Sequence, residues 1–246
     1  MTWDEHAAWW QEHFTDGADP EYEEQFLPLV VERLAGRRRV LDIGAGEGQV
    51  SRALAGHGAD VVAVDRTWSQ ITEVAARGGG VQAVAGAAED LPFAAGAFDA
   101  AVACLVFEHI DDHEGAIAEV SRVLRAGGRF LLLLNHPLFQ TPDSGWIDDH
   151  VLDPPEQYWR IGDYLVSAVT VDEVSPGVHI RFVHRPLHQY VNTLAAHGLV
   201  ITRMDEPEPP PGFLELAPEY AAARYVPRLL ALDAVKLDLG SLTLRP

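Results

Sequence analysis

The chain has 246 residues, 48% of them hydrophobic, and carries 18 Lys plus Arg against 37 Asp plus Glu, a formal net charge of −19. That length suits a single domain, residues 1–246, with a full core and an inserted cap, and leaves no room for two large domains. A surface so acidic repels phosphate backbones and anionic membranes, so neither nucleic acid nor a membrane is an expected partner.

The first residues, MTWDEHAAWWQEHF, have neither the basic start nor the apolar run of a signal peptide, and the longest purely aliphatic run, LLLL at 131–134, is far too short to span a bilayer. A cytoplasmic protein is expected. Residues 3–14 read as one amphipathic helix, and Asp19-Pro20-Glu21 as the start of a second, with Asp19 as N-cap and proline in the first turn. Together these helices, within 1–36, are expected to cover the open end of a site on the core.

VLDIGAGEGQVSRAL (40–54) followed by VVAVD, ending at Asp65, reads as a buried strand, a glycine turn, a helix and a second strand with one carboxylate at its tip. That is the layout of a nucleoside-binding βαβ unit, in which the turn lets a ligand approach the backbone and the acidic residue holds a ribose. A dinucleotide fingerprint requires G-x-G-x-x-G, whereas here Gly44, Gly46 and Gly48 alternate and Gln49 stands at the position of the third glycine. A pyrophosphate cradle is therefore disfavoured.

Further along, short apolar runs alternate with helical patterns, with strands expected near 39–43, 61–65, 81–85, 98–104 and 128–135. Helices are expected from Gly48 to His57-Gly58, over 69–77 before Gly78-Gly79-Gly80, and over 112–125 before Ala126-Gly127-Gly128. The single cysteine, Cys104, excludes an intrachain disulfide and lies in the apolar run AAVACLVF as a core residue.

The pattern Asp42, Gly44, Gly46, Gly48 resembles the first motif of the class I S-adenosylmethionine-dependent methyltransferases, D/E-x-G-x-G-x-G, and in particular that of the small-molecule methyltransferase group. GAAEDLPFAAGAFDAAVACLVFEHI (86–110) and EVSRVLRAGGRFLLL (119–133) extend the likeness. The resemblance implies an α/β, Rossmann-like fold: a seven-stranded, mostly parallel sheet of order 3-2-1-4-5-7-6 with the seventh strand antiparallel, helices on both faces, and a cap inserted after strand five. Strands six and seven would then lie near 199–204 and 228–237. The expected parts are a cofactor-binding core at 37–135, a cap at 136–185 and the rest of the core at 186–246.

It also implies S-adenosylmethionine as cofactor, with S-adenosylhomocysteine as product, held by Asp42, Gly44, Ala45, Gly46, Asp65, Arg66, Ala88, Glu89 and Leu105. Asp65 accepts from both ribose hydroxyls; Gly44 and Gly46 let the methionine portion lie against the turn. Arg66 either covers the adenine or faces solvent, and Leu105 either packs on the cofactor or belongs to the core. Family members commonly carry Asp at the position of Ala87 to accept from the adenine amino group; here either Glu89 or Asp90 reaches the same edge of the base or both are merely solvated, with the Ala88 N–H able to donate to the ring.

In open α/β sheets ligands lie beyond the carboxyl ends of the strands, which points to Glu108, His109, Asn135 and His136. His109 and His136 suit a general base at neutral pH, and Glu108 orients a histidine or binds a cationic acceptor. The bland alternatives are a helix-entry residue for His109 and a rigid strand exit at His136-Pro137.

From 137 to 185 the chain is rich in turn formers and aromatics, with 166–183 expected as a β-hairpin turning at Ser175-Pro176-Gly177, either a flap or a dimer-forming arm. Trp146, Tyr158, Trp159 and Tyr164 either wall a pocket or form the cap's own core. Asp148-Asp149-His150 is a poor metal set, because consecutive side chains rarely converge on one ion, and no metal is expected. A helix is expected over 183–198, with His184-Arg185 at its entrance. The expected function is methyl transfer to an oxygen, nitrogen or carbon of a small organic molecule by a monomer or homodimer. The alternatives are a catalytically silent cofactor-binding sensor or partner protein, and methylation of a protein side chain.

Overall fold

The computed structural model describes residues 3–16, 18–221 and 224–238. In chain order the elements are α1 (Trp3–Phe14), α2 (Leu27–Arg33), β1 (Arg39–Ile43), α3 (Gln49–Gly56), β2 (Asp60–Asp65), α4 (Trp68–Arg77), β3 (Gln82–Ala85) and β4 (Phe98–Cys104). Then follow α5 (His113–Val123), β5 (Leu124–Asn135), the short pair β6 (Gly145–Asp149) and β7 (Glu156–Arg160), and the hairpin β8 (Ala168–Ser175) and β9 (Val178–His184). The chain closes with α6 (Leu187–Ala196), β10 (Leu199–Asp205), α7 (Pro211–Leu216) and β11 (Leu229–Lys236). The remainder of the expected C-terminal core segment, 239–246, lies outside the described residues.

One seven-stranded sheet has the order β3-β2-β1-β4-β5-β11-β10. It is parallel from β3 through β5, and β11 runs antiparallel to both β5 and β10. In strand-number terms this is the 3-2-1-4-5-7-6 order implied by the resemblance. The interior strands are buried on both faces, which is why they read as continuous apolar runs. Leu41 and Ile43 of β1, with Phe130, Leu132 and Leu134 of β5, pack with Ile117 and Val120 of α5 and Leu194 of α6 on one face. Val40, Leu131 and Leu133 point the other way, against Val30 of α2 and Val50 and Leu54 of α3. Arg33 of α2 ties that layer to the antiparallel edge, donating to Asp233 at 2.6 Å and Asp205 at 2.5 Å.

Three local boundaries differ from expectation. α5, capped by Asp112 Oδ1 accepting from Gly115 N at 2.8 Å, stops at Val123 rather than 125. Leu124 already pairs with Phe98 in the sheet, and that cross-strand pairing overrides the helical pattern. α6 begins at Leu187 rather than 183, because Val183 and His184 complete β9 and Pro186 supplies the extended N-cap. Ahead of α2, a π-helical turn over Tyr22–Phe26 widens the helix and directs Tyr22 toward a cavity at the carboxyl edge of the sheet.

Candidate functional site

The sheet's carboxyl edge opens into a cavity of about 400 Å³ that reaches from the glycine turn to α1 and β9. Its lower wall begins where β1 ends. Gly44 N and Ala45 N both donate to Val64 O, at 2.8 and 3.1 Å, folding the turn back over β2. Gly44, at φ +67°, faces Val106, whose Cγ2 would lie 2.2 Å from a Cβ at this position. Only glycine meets both demands. Asp65 at the tip of β2 accepts from Gly46 N at 2.9 Å and from Thr67 N at 2.8 Å, so the carboxylate is held by the turn it faces.

Asp42 lies beneath the turn, accepting from Ser51 Oγ at 2.6 Å; burial pushes its pKa up to about 7. Leu105, just past β4, has a left-handed φ of +55°, uncommon for a branched residue and a sign of local strain at this edge of the cavity. Across the cavity Arg66 Nη1 lies 3.9 Å from Glu89 Oε1, bridging the tips of β2 and the loop after β3. Asp42, Gly44, Ala45, Gly46, Asp65, Arg66, Ala88, Glu89 and Leu105 all line this one cavity; Asp90 does not.

The strand-tip candidates separate. His109 lines the cavity; Glu108, Asn135 and His136 do not. His109 Nδ1 donates to Arg181 O at 2.9 Å, which leaves the Nε2 lone pair as the ring's acceptor, and burial lowers its pKa to about 4, so the ring is neutral. Glu108 turns inward instead, its Oε1 accepting from Asn135 Nδ2 at 2.9 Å, its Oε2 buried with no hydrogen-bond partner among the described residues, and its pKa raised by burial to about 7. His136 is buried with both nitrogens committed: Nε2 donates to Glu206 Oε1 at 2.9 Å and Nδ1 accepts from Leu138 N at 3.1 Å.

Several lining residues were not anticipated from the sequence. Trp3, His6 and Trp10 come from one face of α1, Tyr22 from the π-helical turn, and His179, Ile180 and Arg181 from β9. The spacing of Trp3, His6 and Trp10 is a helical-face signal that could have found three of them. Arg185, ahead of α6, is buried: its guanidinium donates to the carbonyls of Phe107, Ile110 and Asp111, clamping the turn that bears Glu108 and His109.

Trp146, Tyr158, Trp159 and Tyr164 stand apart from the cavity. Trp159 stacks on Phe139 at 4.2 Å and meets Trp146 edge-on at 5.4 Å, while the Tyr164 hydroxyl accepts from Leu187 N. Among the described residues no group of three or more His, Cys, Asp or Glu side chains is placed to hold a metal, and no helix is long and apolar enough to cross a membrane.

Residues 41–132 match the family model described as a methyltransferase domain. An uncharacterized methyltransferase of Mycobacterium tuberculosis is 36% identical over 168 residues, 68% of this chain and 63% of the relative. A crystal structure of an S-adenosylmethionine-dependent methyltransferase from Mesorhizobium loti superposes with a TM-score of 0.73 at 25% identity, covering 90% of this chain and 99% of that one. The chain belongs to the class I S-adenosylmethionine-dependent methyltransferases. A demethylmenaquinone methyltransferase of Renibacterium salmoninarum, another relative, is 35% identical over 103 residues, 42% of this chain and 44% of its own length. Measured against the Mycobacterium relative, this methyltransferase-family chain spans a little under two thirds of the length. The family-model match spans the glycine turn and the strands from β1 into β5, the part of the chain that builds the lower wall of the cavity.

Proposed function

We propose that the protein transfers a methyl group from S-adenosylmethionine to a small organic acceptor bound between α1, β9 and the cofactor. The observation that carries this reading is that a single cavity is lined both by the glycine turn and Asp65 and by aromatic side chains of α1 and the π-helical turn. The cofactor's chemical groups fit the lining. Asp65 keeps lone pairs on both oxygens for the ribose hydroxyls, Gly44 leaves backbone exposed where any Cβ would meet Val106, and Glu89 offers a carboxylate near the expected adenine edge. When bound, S-adenosylmethionine supplies an electrophilic methyl group on a sulfonium.

The chain's own contribution is then positioning, worth up to about 7–11 kcal/mol in favourable cases, and removal of a proton where the acceptor atom carries one. His109 is the residue for the second task, because its Nε2 lone pair is available and its Nδ1–H is anchored on the Arg181 carbonyl. Glu108 and Arg185 act on it indirectly, from within the turn and from beneath it. The strongly acidic surface favours a neutral or cationic acceptor over a polyanion.

Calorimetry with S-adenosylmethionine on the parent protein and on Asp65→Ala tests the donor half; absence of heat with the parent refutes it. Incubation with methyl-labelled cofactor and a cell metabolite extract tests turnover. No labelled small molecule, with cofactor binding intact, would refute the acceptor half.

A further inference from the structure

Trp3, Trp10, Tyr22 and His109 line the cavity, with His6 between the two tryptophans on α1, and Trp10 Nε1 lies 4.0 Å from where a Cβ at Gly46 would stand. Trp10 meets Trp3 edge-on at 5.8 Å and Tyr22 edge-on at 6.3 Å. Rings set perpendicular to one another present both faces and edges, a lining that matches a planar π-system better than a saturated one.

Two of the charged groups that line the cavity are already paired within the protein. Arg181 donates to Asp111 at 2.5 Å, and Glu47, nearer the glycine turn, pairs with Arg52 at 2.6 Å. A charged acceptor would therefore have to be desolvated without either of these as a free counter-ion.

Two polar atoms remain to be satisfied. His6 Nε2 is buried in the wall and has no hydrogen-bond partner among the described residues. Native interiors rarely leave such an atom unpaired, and one that borders a cavity is matched by what enters it. His109, whose Nδ1–H is fixed on Arg181 O, offers only an acceptor at Nε2. A hydroxyl answers either nitrogen in kind, since it both accepts from an N–H and donates to a lone pair. Ethers and carbonyls only accept; ammonium groups only donate.

Building on the methyl-transfer reading of this same cavity, we propose that the acceptor is a neutral, planar aromatic compound bearing a hydroxyl group, and that His6 of α1 selects it by hydrogen-bonding that hydroxyl through Nε2. His6 is thereby a specificity residue carried on the helix that roofs the site.

The test is calorimetry on the full chain loaded with S-adenosylhomocysteine, using 2-naphthol, 2-methoxynaphthalene, 2-naphthoate and decahydro-2-naphthol as probes. 2-Naphthol is expected to bind at least tenfold more tightly than the ether, the carboxylate or the saturated alcohol. His6→Phe, which keeps a flat ring, is expected to weaken 2-naphthol at least tenfold without altering S-adenosylhomocysteine affinity, and His6→Gln, which restores a polar group near Nε2, to recover most of the loss. Unchanged S-adenosylhomocysteine affinity also shows that each variant is folded. Failure of S-adenosylhomocysteine to bind the parent overturns the methyl-transfer reading itself. If it binds but 2-naphthol does not, or the ether, carboxylate or saturated alcohol equals it, or His6→Phe has no effect, the aromatic-hydroxyl assignment falls while the donor reading stands.

Discussion

Trp3 places its indole edge-on against the imidazole of His109, ring centroids 4.9 Å apart and planes at 78°. Phe182 of β9 meets the same imidazole from another side, also at 4.9 Å. His109 is thus where the N-terminal helix and the β8–β9 hairpin meet over the sheet. Trp3→Ala removes one of these contacts, worth about 0.5–1.5 kcal/mol beyond its buried area. The expected outcome is an acceptor KM raised roughly tenfold with S-adenosylhomocysteine affinity nearly unchanged, since Trp3 packs on His109 whereas Asp65 is held by Gly46 N and Thr67 N; steady-state kinetics and calorimetry on the same preparation check it.

Asp65→Ala removes the carboxylate expected to hold the ribose and also frees Gly46 N and Thr67 N. Hydrogen bonds to a charged group contribute about 1.5–3 kcal/mol each, so cofactor affinity is expected to fall by about 10²-fold or more by calorimetry. Asp65→Asn, which retains one acceptor oxygen, is expected to lie between the parent and the alanine variant.

Gly44→Ala places a methyl group against Val106 at a residue whose φ is +67°. The left-handed backbone costs about 1–2 kcal/mol and overpacking about 1–3 kcal/mol. Val106→Ala in the same chain is expected to recover only part of the second contribution, because Val106 Cβ itself lies 2.8 Å from the added atom. Thermal unfolding of the single and double variants measures both.

Arg185→Met removes the side-chain donor to the carbonyls of Phe107, Ile110 and Asp111, leaving Phe107 O only the 3.4 Å bond from Ile110 N. A loss of about 3 kcal/mol or more is expected in denaturant unfolding, with the methionine still filling much of the side-chain volume.

Glu108 and His109 contribute pH dependences of opposite sign. Glu108 is raised from 4.5 to about 7, so between those values the folded chain keeps a proton that the unfolded chain releases, and stability falls as pH rises. His109 is lowered from 6.5 to about 4; here the unfolded chain binds the extra proton, and stability is lost as pH falls from 6.5 toward 4. Glu108→Gln keeps an oxygen for Asn135 and abolishes the first effect. The variant is expected to exceed the parent by on the order of 2–3 kcal/mol at pH 8 and to match it near pH 4, as measured by urea unfolding at each pH.

The lower wall of the cavity was legible residue by residue. Asp42, Gly44, Gly46 and Asp65 act through backbone geometry and short-range spacing, and a strand-turn-helix-strand unit brings them together whatever the rest of the chain does. The acceptor side was legible only in outline. Glu108, His109 and His136 all stand at strand tips, yet adjacent residues of one short helical turn point in different directions, and His136 is drawn away by Glu206, seventy positions later. Nothing local to either residue encodes that partnership.

Local sequence was enough for the strands of the parallel half, the glycine turn and the carboxylate at the tip of β2, because buried parallel strands and tight turns impose their residue types at fixed, short spacing; the sheet order came from the family resemblance. Tertiary packing alone established which histidine meets the cavity, that His6, Trp3 and Tyr22 roof it, and that Arg185 clamps the turn beneath. Those relationships join α1, the turn after β4 and β9, elements far apart in the chain whose contact depends on how the layers close around the sheet.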